Sequence, residues 1–479
     1  MNTDLPLLSV FNNGIDNTIT RWCTPSIHPS VPRVRGIYEN DISVSYHSLG
    51  NPSMDNGIFH QANVLAAKAY GAQHTLFSVN GSTGSNFMVL RALKNQLGNM
   101  KMLAQRNVHK SISVATEDYH IDVEYLDPHY EDTLQIFVPN TIEEILEGLR
   151  VTHANVLLIT NPTYEGLSMD LTALVKAVRA FKNDVIIYID EAWGAHFPFS
   201  DRMPTCAMKA GADICVQSTH KQGCGLQQTS MIHWNDGRID ISWLKDSYKS
   251  LMTTSPSFHL LASLDGSRYF MEKEGAEVIG KLVDLAAAFR QRVNNSGFLR
   301  GKVMAIQPED LTQNFCAQTD ATKVLVHLHG FSGMELAKKL EDYYKIIVEK
   351  YEANNILFIM TFQNTKVDVE RTVMAIETEI AKMLPESLHF PKFPARIEKR
   401  MSSFVAKTKE KDTVRIEDSV GRVVAEDVVP YPPGIPLLVK GEVIHQEHVA
   451  YLEQLRKTKD LLTVIITDES VNTINVVKE

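Results

Sequence analysis

The chain of 479 residues is 44% hydrophobic and 22% charged, a globular balance with length for two or three structural units around a large core. A disordered tail and a disulfide-stapled mini-protein are excluded. Its 48 basic and 57 acidic side chains leave a formal charge of −9, without the basic footprint that nucleic acid or an anionic membrane surface demands.

The opening residues, MNTDLPLLSVFNNG, lack the basic start and apolar run of a secretory leader. No stretch nears the roughly 18 consecutive apolar residues of a membrane span. The five cysteines, Cys23, Cys206, Cys215, Cys224 and Cys316, are odd in number and widely spaced, with no C-x-x-C pair. Reduced thiols in a cytoplasmic protein are the expectation.

In chain order, spacings of three and four predict helices over 61–70, 85–97, 141–149 and 171–181. Short β-branched runs predict strands at 75–79, 156–160, 185–189 and 213–217. Strands alternating with helices imply an α/β fold: a mostly parallel sheet flanked by helices in three layers, with ligands beyond the carboxyl ends of the strands. A long amphipathic stretch over 272–293, with Val278, Leu282, Leu285 and Phe289 on its apolar face, stops at Asn294-Asn295-Ser296-Gly297. The main boundary is placed there, giving an N-terminal arm and large domain over 1–297 and a smaller α+β domain over 298–479. In the latter, strands are expected at 323–328 and 356–361, and helices at 333–343 and 367–383. Prolines and phenylalanines punctuate basic residues over 385–400, and Pro432-Pro433-Gly434 reads as a rigid turn.

The phosphate-loop, dinucleotide, zinc-protease and nucleophile-elbow signatures are all missing. His445 and His448 read as a solvated helix face rather than a metal pair, and no metal is expected. Three strand-end features carry chemistry instead. Asp190 closes the apolar run over 185–189, where a buried carboxylate needs a cationic partner. Lys221 follows the next strand through Ser218-Thr219-His220, one crossover further on. Earlier, Asn80-Gly81-Ser82-Thr83-Gly84-Ser85-Asn86 joins a strand to a helix, so backbone N–H groups and hydroxyls form a cup for a phosphate. A lysine amine, a buried acid and an anion cup are the contacts that pyridoxal 5′-phosphate needs.

These residues sit in a longer series: NGSTGSN at 80–86, RNVHKS at 106–111, TNPTYEG at 160–166, DEAWGAHF at 190–197, QSTHK ending at Lys221, TSPSFHLLASLD at 254–265 and YPPGIPLLVKGE at 431–442. In that order they resemble the pyridoxal-phosphate-dependent decarboxylases of ornithine, lysine and arginine, which have the aspartate aminotransferase fold, fold type I. The resemblance implies that Lys221 forms the imine and that Asp190 pairs with the pyridine nitrogen. It further implies that His109 stacks on the ring, and that Ser82, Thr83, Ser218 and His220 hold the phosphate or line its edge. Ala192 and Trp193 would pack beside the ring. Thr254 and Ser255 would reach a neighbouring subunit's cofactor, making the active unit a homodimer or higher homo-oligomer. His109 also fits a helix cap, and Trp193 plain core.

Two segments depart from the family pattern: Cys23-Thr24-Pro25-Ser26-Ile27-His28-Pro29-Ser30, and Gln222-Gly223-Cys224-Gly225 directly after the lysine. Both are expected near the substrate. The implied reaction is decarboxylation of a basic L-amino acid, with the carboxylate held out of the ring plane and Lys221 or His220 returning a proton to Cα. A basic substrate needs an acidic recess for its distal end; Glu442 is one candidate, and a solvated surface glutamate is the other reading of it. Guanidinium and ammonium substrates both stay open. An O2-consuming arginine oxidase, or decarboxylase-oxidase, is the alternative outcome, and a non-catalytic regulatory homologue is the third.

Overall fold

The computed structural model describes residues 20–24, 26–28, 30–32, 43–44, 49–385, 392–394, 396–431, 434–457 and 463–478. Pro432 and Pro433 of the expected rigid turn lie outside them, as do Pro25, Pro29 and residues 386–391. A seven-stranded sheet is built from β1 His74–Ser78, β2 Lys101–Ala104, β3 Asp122–Tyr125, β4 Val156–Thr160, β5 Ile186–Asp190, β6 Ile214–Gln217 and β7 Ser230–Trp234. Their order is β1-β7-β6-β5-β4-β2-β3. Strand β7 runs antiparallel to both neighbours, and the remaining pairs are parallel.

Alternation along the strands makes the layers. Val156, Leu158, Ile186, Tyr188, Ile214 and Val216 enter one core, while Leu157, Ile159, Ile187, Ile189 and Cys215 enter the other. Successive side chains of a strand point to opposite faces, so a sheet covered on both sides reads as an unbroken apolar run. That is why β4 and β5 were legible. The expected fold type I, α/β architecture is what the chain adopts.

Strand 156–160, helix 171–181 and strand 323–328 have the predicted limits. Strand β5 starts and ends one residue later than expected, so Asp190 is its last residue and pairs with Thr160 and Val216. The long helix runs Phe258–Asn294, fourteen residues earlier than its amphipathic reading. Leu261, Leu264, Phe270 and Met271 in that extension are buried among several elements, which blurs the one-sided stripe. Strand β3 escaped because Asp-Val-Glu-Tyr at a sheet edge is half polar.

Past the long helix, β8 Val303–Ala305, β9 Lys323–Leu328, β10 Lys350–Tyr351 and β11 Asn355–Ile359 form an antiparallel sheet ordered β8-β9-β11-β10. Phe270, Ile279, Ala286 and Phe289 of that helix share one core with Val324, Val326, Ile356 and Phe358 of this sheet. A further core gathers Val424, Val428, Leu438, Ile444 and Leu452 with Phe137. The solvated-face reading of His448 is corrected: it is 2% exposed and its Nδ1 accepts the His445 N–H at 3.0 Å, closing the first turn of helix Gln446–Lys457. All five cysteines are free thiols. Among the described residues, no helix is long and apolar enough to cross a membrane.

Candidate active site

Parallel neighbours β5 and β6 bring Asp190 and Lys221 to one end of the sheet, Asp190 opposite Val216 and Lys221 four residues past the end of β6. Asp190 is 2% exposed. Its Oδ1 accepts the Ala192 N–H and its Oδ2 accepts Asn86 Nδ2–H, each at 3.2 Å. Burial pushes this carboxyl up, against the opposing pull of Lys221 and of those two donors. Asn86 is in turn fixed by the Tyr188 hydroxyl and by Ser111. The motif by itself assigns Asn86 no role. Its spacing of four from Ser82 on one helix face is the signal that could have found it.

Lys221 is half-buried with its Nζ 3.7 Å from the Trp193 ring centroid. Desolvation lowers its pKa to about 8, resisted by Asp190 and reinforced by Lys323. A larger fraction of free amine is therefore present near neutrality than for an exposed lysine. Covalent capture of an aldehyde by the apoprotein should accordingly rise with pH through about 8, read as label on Lys221 by mass. Capture that begins only above pH 10 would mean an ordinary exposed amine.

The turn expected to cup an anion lies between β1 and a helix. Helix Gly81–Leu97 begins at Gly81 with φ +65, whose N–H donates to the Gln228 carbonyl at 2.8 Å, so the chain turns sharply between β1 and the helix. Ser82 and Thr83 follow in the first turn, where backbone N–H groups lack helical acceptors. The Ser218 hydroxyl, carried by the end of β6, donates to Ser82 Oγ at 2.8 Å. His220 Nδ1 lies 2.7 Å from the Thr229 carbonyl. A carbonyl only accepts, so Nδ1 carries the proton, and burial holds the ring below its usual pKa.

His109 is both a cap and a neighbour of the lysine. Its Nδ1 accepts the Ser111 N–H at 3.2 Å and lies 2.8 Å from Ser111 Oγ, closing helix Lys110–Asp118. Burial, with Lys221 and Lys110 adding to it, lowers its pKa to about 4, so the ring is neutral. Glu191, beside Asp190 in sequence, points elsewhere: it accepts the Ala207 N–H and Gln217 Nε2, and burial raises it to about 8.

Described residues of both departing segments lie near the lysine. The Ser26 N–H donates to the Lys221 carbonyl at 2.9 Å, and the Thr24 N–H donates to Glu349, a carboxylate coupled electrostatically to Lys221. The turn Gln222-Gly223-Cys224-Gly225 is packed scaffold. A Cβ on Gly225 would come 2.4 Å from Thr229 Oγ1, and Gln222 donates to Thr322 Oγ1 at 3.0 Å. Bulky aliphatic side chains have no room at the two glycines.

Glu442 requires a correction. It is neither a solvated glutamate nor an open receptor for a basic substrate. Arg106 Nη1 and Nη2 grip its two oxygens at 2.6 and 2.8 Å, and the Val439 N–H takes Oε2 as well. Both partners are buried, and a carboxylate bound bidentately has little left to offer a ligand. Thr254 and Ser255 are exposed, in the loop between helices Ile241–Leu251 and Phe258–Asn294, and the single chain does not bring them to Lys221.

A family model described as the Orn/Lys/Arg decarboxylase major domain matches residues 35–368, and one for the C-terminal domain of the same family matches 386–462. The chain belongs to the ornithine/lysine/arginine decarboxylase family. It is 33% identical to an arginine decarboxylase of Bacillus subtilis over 87% of this chain and 85% of that one. An arginine decarboxylase of Halalkalibacterium halodurans is 32% identical over 92% and 90% respectively. Among solved structures, lysine decarboxylase A from Pseudomonas aeruginosa superposes with a TM-score of 0.77 at 21% identity, covering 91% of this chain and 74% of that one. The constitutive lysine decarboxylase of Escherichia coli gives 0.75 at 22% identity, over 91% and 75%. Family and relatives together make this chain a basic amino-acid decarboxylase.

Proposed function

We propose that the protein binds pyridoxal 5′-phosphate through Lys221 and decarboxylates a basic L-amino acid, arginine being the first substrate to test. The observation that carries this reading is the placement of Asp190 and Lys221 at the ends of neighbouring strands, with the anion cup of Ser82, Thr83 and Ser218 alongside. When bound, the pyridine ring supplies a sink for the electrons left by the bond broken at Cα.

Each residue of the chain then has a definite task. Asp190, raised by burial, would pair with the ring nitrogen and favour its protonated form, and Asn86 with Ala192 keeps the carboxylate aimed. His109, kept neutral by burial and held by the helix cap at its Nδ1, would stack on the ring. Trp193 packs beside the lysine. Ser82, Thr83, Ser218 and His220 would hold the phosphate through hydroxyls, first-turn amides and the imidazole. Lys221, with a pKa of about 8, suits proton return to Cα, and His220, neutral with Nδ1 committed to Thr229, does not. In this reading the active unit is a homodimer, with the exposed Thr254 and Ser255 serving the other copy's site. The arginine decarboxylases among its relatives support the choice of substrate.

The purified protein with added cofactor should show a visible band that borohydride removes, leaving a phosphopyridoxyl mass on Lys221. Incubation with arginine, lysine and ornithine should release CO2 equally in air and under nitrogen, with no peroxide. Oxygen uptake matching product formation would replace the decarboxylase by the oxidase, and a colourless protein would defeat the cofactor assignment. Asp190→Asn should retain the lysine attachment yet lose about 100-fold or more in turnover, because an amide cannot keep the ring nitrogen protonated. Turnover within threefold of the parent would remove Asp190 from the mechanism.

A further inference from the structure

A second lysine stands beside the reactive one. Lys323 opens strand β9 and is 3% exposed. Its stem passes Gly166, where a Cβ would come 3.1 Å from Lys323 Cδ and 2.9 Å from Asp320 Cβ. Its Nζ donates to the Tyr164 carbonyl at 2.8 Å and lies 4.3 Å from the Trp193 ring centroid. Lys221 Nζ stands 3.7 Å from that same centroid, so the two amines are no more than about 8 Å apart.

What distinguishes Lys323 is that its charge is unmatched at contact distance. Lys350, close by, holds Glu165 and Glu352 at 2.6 Å each, and Arg106 is spent on Glu442. Among the described residues, no carboxylate oxygen lies within 4.0 Å of Lys323 Nζ. The acids around it face other groups. Asp320 accepts from Thr322 and sits 3.2 Å from His196 Nε2, Glu165 pairs with Lys350, and Glu349 accepts from Tyr164 and Thr24. Two of the three ammonium protons are available, and a buried cation without an anion in contact is costly.

Resting on the decarboxylase reading above, we propose that Lys323 is the residue that receives the substrate's α-carboxylate. An α-amino acid presents an amine and a carboxylate oxygen about 3 Å apart, and an ammonium donor adds about 2.8 Å, so the required reach of about 6 Å lies within the upper bound on the separation of the two amines. The type of donor also suits the reaction. A guanidinium would clamp the carboxylate bidentately, whereas a single ammonium on a flexible stem grips at one point and more easily lets the group leave as neutral CO2. Burial lowers the pKa of Lys323 to about 8, which leaves most of it charged at neutral pH.

The test compares ligands that differ only in the carboxylate. Holoprotein is mixed in a stopped-flow with L-arginine or agmatine, and with L-lysine or cadaverine, and half-saturation of the first absorbance change is read before turnover. Lys323→Met should weaken the amino acids tenfold or more and the two amines by less than twofold, with Lys323→Arg recovering most of the loss. Equal weakening of amine and amino acid, or none in either, overturns the proposal. An independent reading uses the apoprotein. Lys221 is faced by Asp190, Glu349, Lys323, His109 and His220, and removing the one cation among its lysine neighbours should raise the pH midpoint for amine labelling of Lys221; an unmoved midpoint contradicts the proximity. Wild-type protein that gains no band with the cofactor sinks the parent reading as well, a result separable from a variant that keeps the band and binds both ligand types normally.

Discussion

Lys221→Ala should lose turnover by roughly 10³–10⁴-fold while the chain stays folded, the scale set by removing a positioned proton-transfer group together with the covalent attachment point. The fold should survive because Lys221 has no salt-bridge partner at contact distance among the described residues and stacks only on Trp193. Deleting a desolvated cation removes an electrostatic cost as well as an attraction. Asp190 keeps its Asn86 and Ala192 donors in the variant. The checks are CO2 release, an unchanged circular dichroism spectrum and the absence of borohydride-fixed label. A variant that unfolds would make Lys221 structural, and one retaining a tenth of the activity would assign the chemistry elsewhere.

Arg106→Ala should produce the largest stability loss, about 3–5 kcal/mol, because it leaves the Glu442 carboxylate buried and uncompensated. Arg106 Nε and Nη2 also donate to the carbonyls of Pro436 and Leu437 at 2.9 and 3.0 Å, so this one guanidinium ties the C-terminal unit to the loop after β2. Three residues on, that loop presents His109. Glu442→Gln should be destabilising in the same direction, since it strips the charge from a buried guanidinium's partner. The double replacement Arg106→Met with Glu442→Leu should recover most of the thermal stability, because apolar side chains of similar size replace a buried ion pair at little cost. It should not recover full activity, since the hydrogen bonds to Pro436 and Leu437 that seat the His109 loop are gone. Thermal unfolding and turnover measured on the three variants decide this; a double variant as unstable as the single ones would refute the ion-pair account.

What could be read from the chain by itself was local and periodic. The apolar runs of β4 and β5, buried on both faces, announced a parallel sheet, and the acid at the end of one strand with the lysine past the next announced the chemical pair. The glycine-hydroxyl turn announced a helix start with hydroxyls in its first turn. These signals lie within a few residues, and hydrogen-bonding geometry and alternation turn them into structure without help from distant parts. Tertiary structure decided whatever depends on partners far apart in the chain. Glu442 looked like a free acid until Arg106, 336 residues earlier, closed on it. Lys323 looked like an ordinary strand residue until packing set its amine over the indole that also carries Lys221. The Gln222–Gly225 turn looked like substrate-facing novelty until Thr219, Thr229 and Thr322 enclosed it. A side chain's charge is written in the sequence, whereas whether that charge is spent or available is a matter of which groups the fold brings within hydrogen-bonding distance.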